Sequence, residues 1–544
     1  MAPHRVRMSS QHFARILLGA TCLLVGSIAG CGQNPLVQGK AAPPPGKVAD
    51  PAAAPVAGDP QPGVQPNDPA APAADRPVAK TPLVRGLSEL LNTNPALEDD
   101  VKDPLRDQLQ QADDILSGIK SQNRAALREI NRQQRHRRSD SPNVVMIIAD
   151  NLRMEELSGN VGSEFNTPYI NQLVSKGTRF TQFYAGSPDP VAAHWCLATG
   201  RRPDQATAWS KSQPVLQSED LTIAEVMWQA GYTTSVFGDW GVLGPQGPAT
   251  PADQGFDRWL GAYGPLQQPQ PFPATLLNNG QSLKLTKNAA GEHGQLAQDF
   301  YLTEAIDFLN RARRPAFIQV YVTISGVPVT PAELAKLDQS WPDELKARAV
   351  ALTRLDQGVS KMMNALNAIK QLGNTVFILT SATSSPDARH LAGSTAAPQV
   401  LRGGPGELYE GGLRVPLIIC GARRMPVGES AVVSAAWDLA PTVYDLVGAQ
   451  KRPAQKFGQS LSKLLQPKAT LPTRYLYWEA QHGTAEVAAR WQNWKVVRHA
   501  KSQAFELYDL EADPSEMHDV AAEHPEVLAE FQKRMAPATE QAKR

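Results

Sequence analysis

The distribution of apolar and polar positions divides the chain near Ser141. Beyond it, apolar runs of strand length alternate with helical spacings. Val144-Val145-Met146-Ile147-Ile148-Ala149 runs unbroken into Asp150-Asn151. That is the pattern of a parallel strand buried on both faces, whose carboxyl end delivers polar side chains to a crevice. The spacing predicts further strands over 178–184, 233–237, 316–323, 375–380 and 415–420, and helices over 169–175, 299–312 and 345–372. Thr222 and Glu225 form a capping box for another helix, which Gly231 stops. The fold class is therefore α/β, a mostly parallel central sheet flanked by helices. Past Val447 the rhythm changes to closely spaced strands at 475–478, 486–491, 494–498 and 505–508, then a helix over 525–535. Short strands on short loops predict a small C-terminal α+β domain containing an antiparallel sheet.

Before Ser141 the pattern is different. Leu105, Leu109, Ala112, Leu116, Ile119, Ala126 and Ile130 recur in steps that make one apolar stripe on a helix, interrupted by Asn123. The stripe suits packing on the chain's own globular region, or a short coiled coil. Arg124, Arg128, Arg132, Arg135, Arg137 and Arg138 crowd its end, as a solvated helix C-terminus or as a contact for anionic headgroups. From Asn34 to about Pro82, Pro, Ala, Gly and Val dominate, a composition suited to an extended tether. At the start, Arg5, Arg7 and Arg15 precede an apolar run from Ile16 to Gly30, the layout of an export signal. Ile28-Ala29-Gly30-Cys31 resembles the lipobox of bacterial lipoproteins, so Cys31 is the expected lipidation site. An ordinary signal peptide with an incidental cysteine is the alternative. The expected organisation is 1–30 signal, 31–82 tether, 83–140 helical and Arg-rich, 141–447 α/β domain, 448–544 C-terminal subdomain.

The length of 544 residues, 42% of them hydrophobic, allows a sizeable core. A formal charge of +1 gives no global pull toward nucleic acid, and none is expected as a partner. Of four cysteines, only Cys196 and Cys420 lie in the globular region, too few to argue a disulfide framework. Cys420 closes an apolar run and reads as a small buried hydrophobe.

A series of landmarks carries a family resemblance: Asn143-Val144-Val145 through Asp150, Asn166-Thr167-Pro168, Thr199-Gly200-Arg201, Ala230-Gly231-Tyr232, and Gly255-Phe256-Asp257. Tyr409-Glu410-Gly411-Gly412 with Arg414-Val415-Pro416, and Glu506-Leu507-Tyr508-Asp509-Leu510 with Asp513-Pro514, complete it. In this order they resemble the sulfatases, of the alkaline phosphatase superfamily, from Pro142 to Met535. The resemblance implies a formylglycine nucleophile made from Cys, a divalent cation, generally calcium, and Lys and His side chains that bind sulfate.

The site positions depart from that pattern. Aligning Phe183, Tyr184, Ser187 and Pro188 with Thr199-Gly200-Arg201 puts Pro190 at the nucleophile position and His194 at the motif Arg. A proline ring cannot become an aldehyde hydrate. Of the carboxylates the family uses for metal, Asp150 is kept, Asn151 replaces the second Asp, and Ala382 and Thr383 replace the later Asp-Asn pair. Asp239 and Gly241 stand for the Lys and His of one motif, Val329 for a further His, and Pro405 for a further Lys. No cofactor is expected, calcium entering only if residual binding at Asp150 and Asn151 survives.

These substitutions predict a lipoprotein with a sulfatase-like fold and a degenerate site, a pseudoenzyme binding an unidentified ligand or protein partner. It would be anchored to a membrane of the bacterial cell envelope, with Gly32 favouring the outer membrane. The competing readings are an active sulfuric ester hydrolase, another metal-dependent hydrolase built on Asp150, Asp189, Asp239 and His194, and a structural envelope protein. The last is favoured if Pro190, Val329 and Pro405 fill the former pocket. The acidic residues can equally be solvated loop positions. Cys196, as a displaced nucleophile, is expected inside a helix. Ser384, Ser385, Asp387 and His390 supply nucleophile and base types in one loop, without the spacing of a triad.

Overall fold

The computed structural model describes residues 141–157, 165–206, 209–210, 213–217, 220–242, 250–262, 270–312, 315–384, 401–421, 426–450, 458–465, 469–480, 485–499 and 501–541. The expected signal with Cys31, the tether, the Arg-rich helical segment, and Ser385, Asp387 and His390 lie outside the described residues.

In chain order the first main elements are β1 (Asn143–Asp150), α1 (Pro168–Ser175), β2 (Gly177–Phe180), β3 (Phe183–Tyr184), α2 (Pro190–Thr199), α3 (Ile223–Gln229), β4 (Thr233–Phe237) and β5 (Arg258–Gly261). There follow β6 (Thr275–Asn278), β7 (Gln281–Lys284), α4 (Ala297–Arg311), β8 (Ala316–Thr323), α5 (Asp343–Ala368), β9 (Thr375–Thr380), α6 (Glu410–Leu413), β10 (Leu417–Gly421), β11 (Gly428–Ser430), β12 (Ser434–Ala435) and α7 (Leu439–Val447). The C-terminal part adds β13 (Tyr475–Glu479), β14 (Ala485–Trp491), β15 (Trp494–His499), β16 (Phe505–Asp509) and α8 (Pro525–Gln541).

Ten strands form one sheet in the order β11-β2-β10-β9-β1-β8-β4-β5-β6-β7. The five central strands from β9 to β5 all run parallel. β10 pairs antiparallel with both β9 and β2, and β6 and β7 form an antiparallel hairpin at the other edge. The sheet is mixed and mostly parallel. The side chains of β1 explain its unbroken apolar run. Val144, Met146 and Ile148 enter one core beside α2, α3 and α7, while Val145, Ile147 and Ala149 enter a second core beside α1, α4 and α5. By the same alternation Asp150 falls on the face of Ile148, toward α2.

Two expected elements are corrected. The strand expected over 178–184 is broken, because Thr181 N–H bonds Ser430 O at 2.9 Å and Phe183 and Tyr184 leave the main sheet to pair with Ser434 and Ala435. The helix expected to reach residue 372 ends at Ala368. Lys370 takes a left-handed φ of 57°, and its N–H and that of Gln371 bond Asn367 O and Leu366 O at 3.0 and 2.7 Å. That paired closure terminates the helix although the apolar spacing continues.

The four C-terminal strands form the antiparallel sheet β13-β14-β15-β16. One face packs on α8 through Tyr477, Val487, Val496, Leu507 and Phe531. The other face carries Leu476, Trp478, Val497 and Tyr508 into the core of the α/β part. Trp478 Nε1–H bonds Ala185 O at 3.0 Å. Beside this seam, fully buried Lys495 lies 3.0 Å from Glu410 and 2.8 Å from Glu516. Tyr184 Oη donates to Glu410 at 2.9 Å. Among the described residues no helix is long and apolar enough to cross a membrane.

A buried cation shared by two carboxylates is costly to remove. Lys495→Met should destabilise the chain by about 3–5 kcal/mol, measured by denaturant unfolding, because two buried carboxylates lose their counter-charge. Burial pushes the Glu516 carboxyl up to about 7, with Lys495 opposing the shift. A raised folded-state value means that this group's stabilising contribution is full below the unfolded value of about 4.3 and is lost as pH rises through about 7. Glu516→Gln should therefore flatten the loss of melting temperature between those limits; an unchanged pH profile would contradict this role.

Candidate functional site

The site is assembled at the carboxyl ends of the central parallel strands. Asp150 is the last residue of β1, and the chain turns sharply at Asn151, which has a left-handed φ of 64°. The turn is held from several sides. Asn151 N–H bonds Thr383 O at 3.2 Å, its side-chain amide donates to Thr323 Oγ1 at 3.3 Å, and Thr383 Oγ1 donates to its amide oxygen at 3.4 Å. Arg348 on α5 donates to Asn151 O and pairs with buried Glu156. Ala382, fully buried after β9, donates its N–H to Asp150 Oδ1 at 3.3 Å.

Helix α2 supplies the opposite wall. Asp189 caps it, accepting from Val191 N–H and Ala192 N–H at 3.0 and 3.2 Å. Pro190 occupies the first helical position, where the missing N–H costs nothing and the fixed φ suits the turn. It is exposed. Gly200, with φ of 65°, ends the helix. Cys196 lies inside α2 as expected, fully buried, and burial pushes its thiol well above the ordinary range. An inert thiol in a helix interior is no displaced nucleophile.

One turn into α2, His194 is 2% exposed. Its Nε2 lies 2.8 Å from Asp150 Oδ2 and its Nδ1 lies 3.3 Å from Trp240 O. The ring stacks on Tyr321 with centroids 5.3 Å apart at 24°. Tyr321 belongs to β8 opposite Ile148, so it shares the face of the sheet that carries Asp150. Burial by itself would lower the His194 pKa; the Asp150 charge and hydrogen bond outweigh it and raise the value above the ordinary 6.5. Gly241 is required by this arrangement. A Cβ there would stand 2.1 Å from His194 Nδ1, and its φ is +80°.

Asp239 follows β4, accepts from Ala262 N–H at 3.1 Å, and is also hydrogen-bonded by the Tyr301 hydroxyl. Its carboxyl is pushed up by burial, with His194 pulling the other way. The structure thus brings Asp150, His194 and Asp239 into electrostatic reach of one another. It commits Asp189 to the helix N-terminus instead. Solvated loop carboxylates are not what Asp150 and Asp239 have become. Of the three residues whose filling of the pocket would favour a structural role, Pro190 and Pro405 are exposed and Val329 is half-buried. His194 and Tyr321 occupy the interior. The loop of Pro405 still borders the site, since Gly406 N–H bonds Pro188 O at 3.2 Å. Ser384 is buried with its hydroxyl unpartnered. Among the described residues no three His, Cys, Asp or Glu side chains are grouped to hold a metal ion.

The Tyr321 ring and the Trp240 carbonyl were not anticipated from sequence. Strand alternation placed Tyr321 on one face of β8, but only the register against β1 sets it beside Asp150.

A family model described as Sulfatase matches residues 142–449, and a second, N-sulphoglucosamine sulphohydrolase, C-terminal, matches residues 407–541. Human arylsulfatase A is 28% identical over 449 residues, spanning 71% of this chain and 85% of that protein. N-acetylgalactosamine-6-O-sulfatase of Bacteroides thetaiotaomicron is 23% identical over 478 residues, spanning 72% of this chain and 92% of that protein. Among solved structures, Ps i-CgsB shares the fold with a TM-score of 0.62 at 22% identity, covering 74% of this chain and 93% of that one. The PsFucS1 sulfatase from Pseudoalteromonas sp. does so with a TM-score of 0.60 at 17% identity, covering 77% and 94%. With more than half of its length matched by the family model, the chain belongs to the sulfatase family.

Proposed function

We propose that this chain is a catalytically inactive sulfatase-family protein, a pseudoenzyme held at a bacterial cell envelope through a lipid on Cys31, where it binds a ligand or partner. The observation that carries the reading is Pro190 at the first position of α2, where the family places its nucleophile. Loss of a nucleophile commonly costs about a million-fold in turnover. Charge stabilisation is usually the largest remaining term, and here the sulfate-binding cations are replaced by Asp239, Gly241, Val329 and Pro405. A sulfate entering the crevice would meet the Asp150 and Asp239 carboxylates.

Relatives bear the names of sulfatases, and family likeness alone suggests a sulfuric ester hydrolase. A rebuilt hydrolase is the second reading, favoured by the hydrogen-bonded Asp150–His194 pair. Its difficulty lies in the ring nitrogens. A general base needs a nitrogen free to take a proton, and both His194 nitrogens face protein oxygens.

The full chain should hydrolyse neither an aryl sulfate nor an aryl phosphate above a Pro190→Ala control, with calcium, manganese or zinc in excess. Turnover that survives in the control would favour the rebuilt site. Pro190→Cys should also stay inactive, and its peptide mass should show an unmodified cysteine, because His194 stands where the family motif has Arg. An aldehyde at that position accompanied by sulfate release would overturn the reading.

A further inference from the structure

We infer that the His194 ring has taken over, within the protein itself, the place of the divalent cation against Asp150, so that the crevice there is held together without metal and is closed to calcium. The inference rests on the proposed function only in identifying Asp150 as the surviving metal-position carboxylate. It does not depend on the chain being inactive.

Geometry fixes the ring in place. Nε2 of His194 faces a carboxylate oxygen at 2.8 Å and Nδ1 faces a backbone carbonyl at 3.3 Å. The second Asp150 oxygen accepts from Ala382 N–H at 3.3 Å. Both carboxylate oxygens therefore have a protein partner.

The neighbouring residues do not fit calcium. That ion takes about 6–8 oxygen ligands at about 2.3–2.6 Å. Around Asp150 the former ligand positions carry Ala382, which has no donor atom, and Thr383, whose hydroxyl is turned to Asn151. The Asn151 amide is engaged with Thr323. Gly241 completes the exchange. At the position where the family motif has His, the lack of a side chain leaves the space that the His194 ring occupies, and any Cβ there would collide with it. Three departures that look like separate losses in the sequence are parts of one replacement: His194 in, Gly241 cleared for it, and the later metal ligand reduced to Ala382.

The test is a double-mutant cycle on the full chain, with a metal titration beside it. His194→Gln should lower the melting temperature by several degrees, since the ring packed against Asp150 and Tyr321 is lost, and Asp150→Asn added to it should cost less than the sum of the two single changes. Calcium titrated calorimetrically into the unmutated chain should give no stoichiometric heat, and calcium in place of chelator should leave its melting temperature unchanged. The calcium arms use the unmutated chain and hold even if the variants fold poorly. Additive effects in the cycle or one calcium bound per chain would each overturn the inference. Metal binding without turnover would sink it and spare the inactive reading; turnover without metal would do the reverse.

Discussion

A carboxylate delivered to the carboxyl end of a buried parallel strand has to be neutralised where it stands. Asp150 is fixed there by six preceding residues, Val144 to Ala149, that are buried in the two cores of the sheet, and nothing short of disrupting β1 can move it. The family resemblance implies a cation gathered here by several carboxylates; in this chain Asn151, Ala382 and Thr383 stand near Asp150, and His194 from α2 lies 2.8 Å away. The choice of neighbours follows from that contact: a glycine at Gly241, a stacking ring at Tyr321, a donor N–H at Ala382. Fold and site are joined because α2 is held against the same core face that Asp150 points to.

Much of this was legible in the residues. The continuous apolar run of β1 and the capping box at Thr222 and Glu225 showed the strand and the helix start, each from local pattern. Cys196 fell inside α2 because flanking landmarks left it no other place. What could not be read is long-range. The edge strands β6 and β7 are short and largely exposed, so they carry little alternation to detect. The burial of His194 depends on Gly241 and Tyr321, which approach it only once β4 and β8 are paired. From sequence alone, Asp150 and Asp239 were compatible with solvated loops, because nothing in a linear pattern shows that His194 comes to lie against Asp150.

The C-terminal sheet follows the same logic on a larger scale. It reads in sequence as a separate antiparallel unit, yet its inner face shares the core of the α/β part, and Lys495 is buried between Glu410 and Glu516. Buried charge that is fully paired specifies one arrangement of its surroundings. One such set lies at the seam, where Lys495 ties the C-terminal sheet to α6.

The most direct test of this account is a crystal structure of the protein grown in millimolar calcium, with anomalous scattering collected to locate any cation. The account predicts the His194 ring against Asp150 with no anomalous peak between strands β1 and β9. A calcium ion coordinated by Asp150, with His194 turned away from it, would contradict the account at its centre.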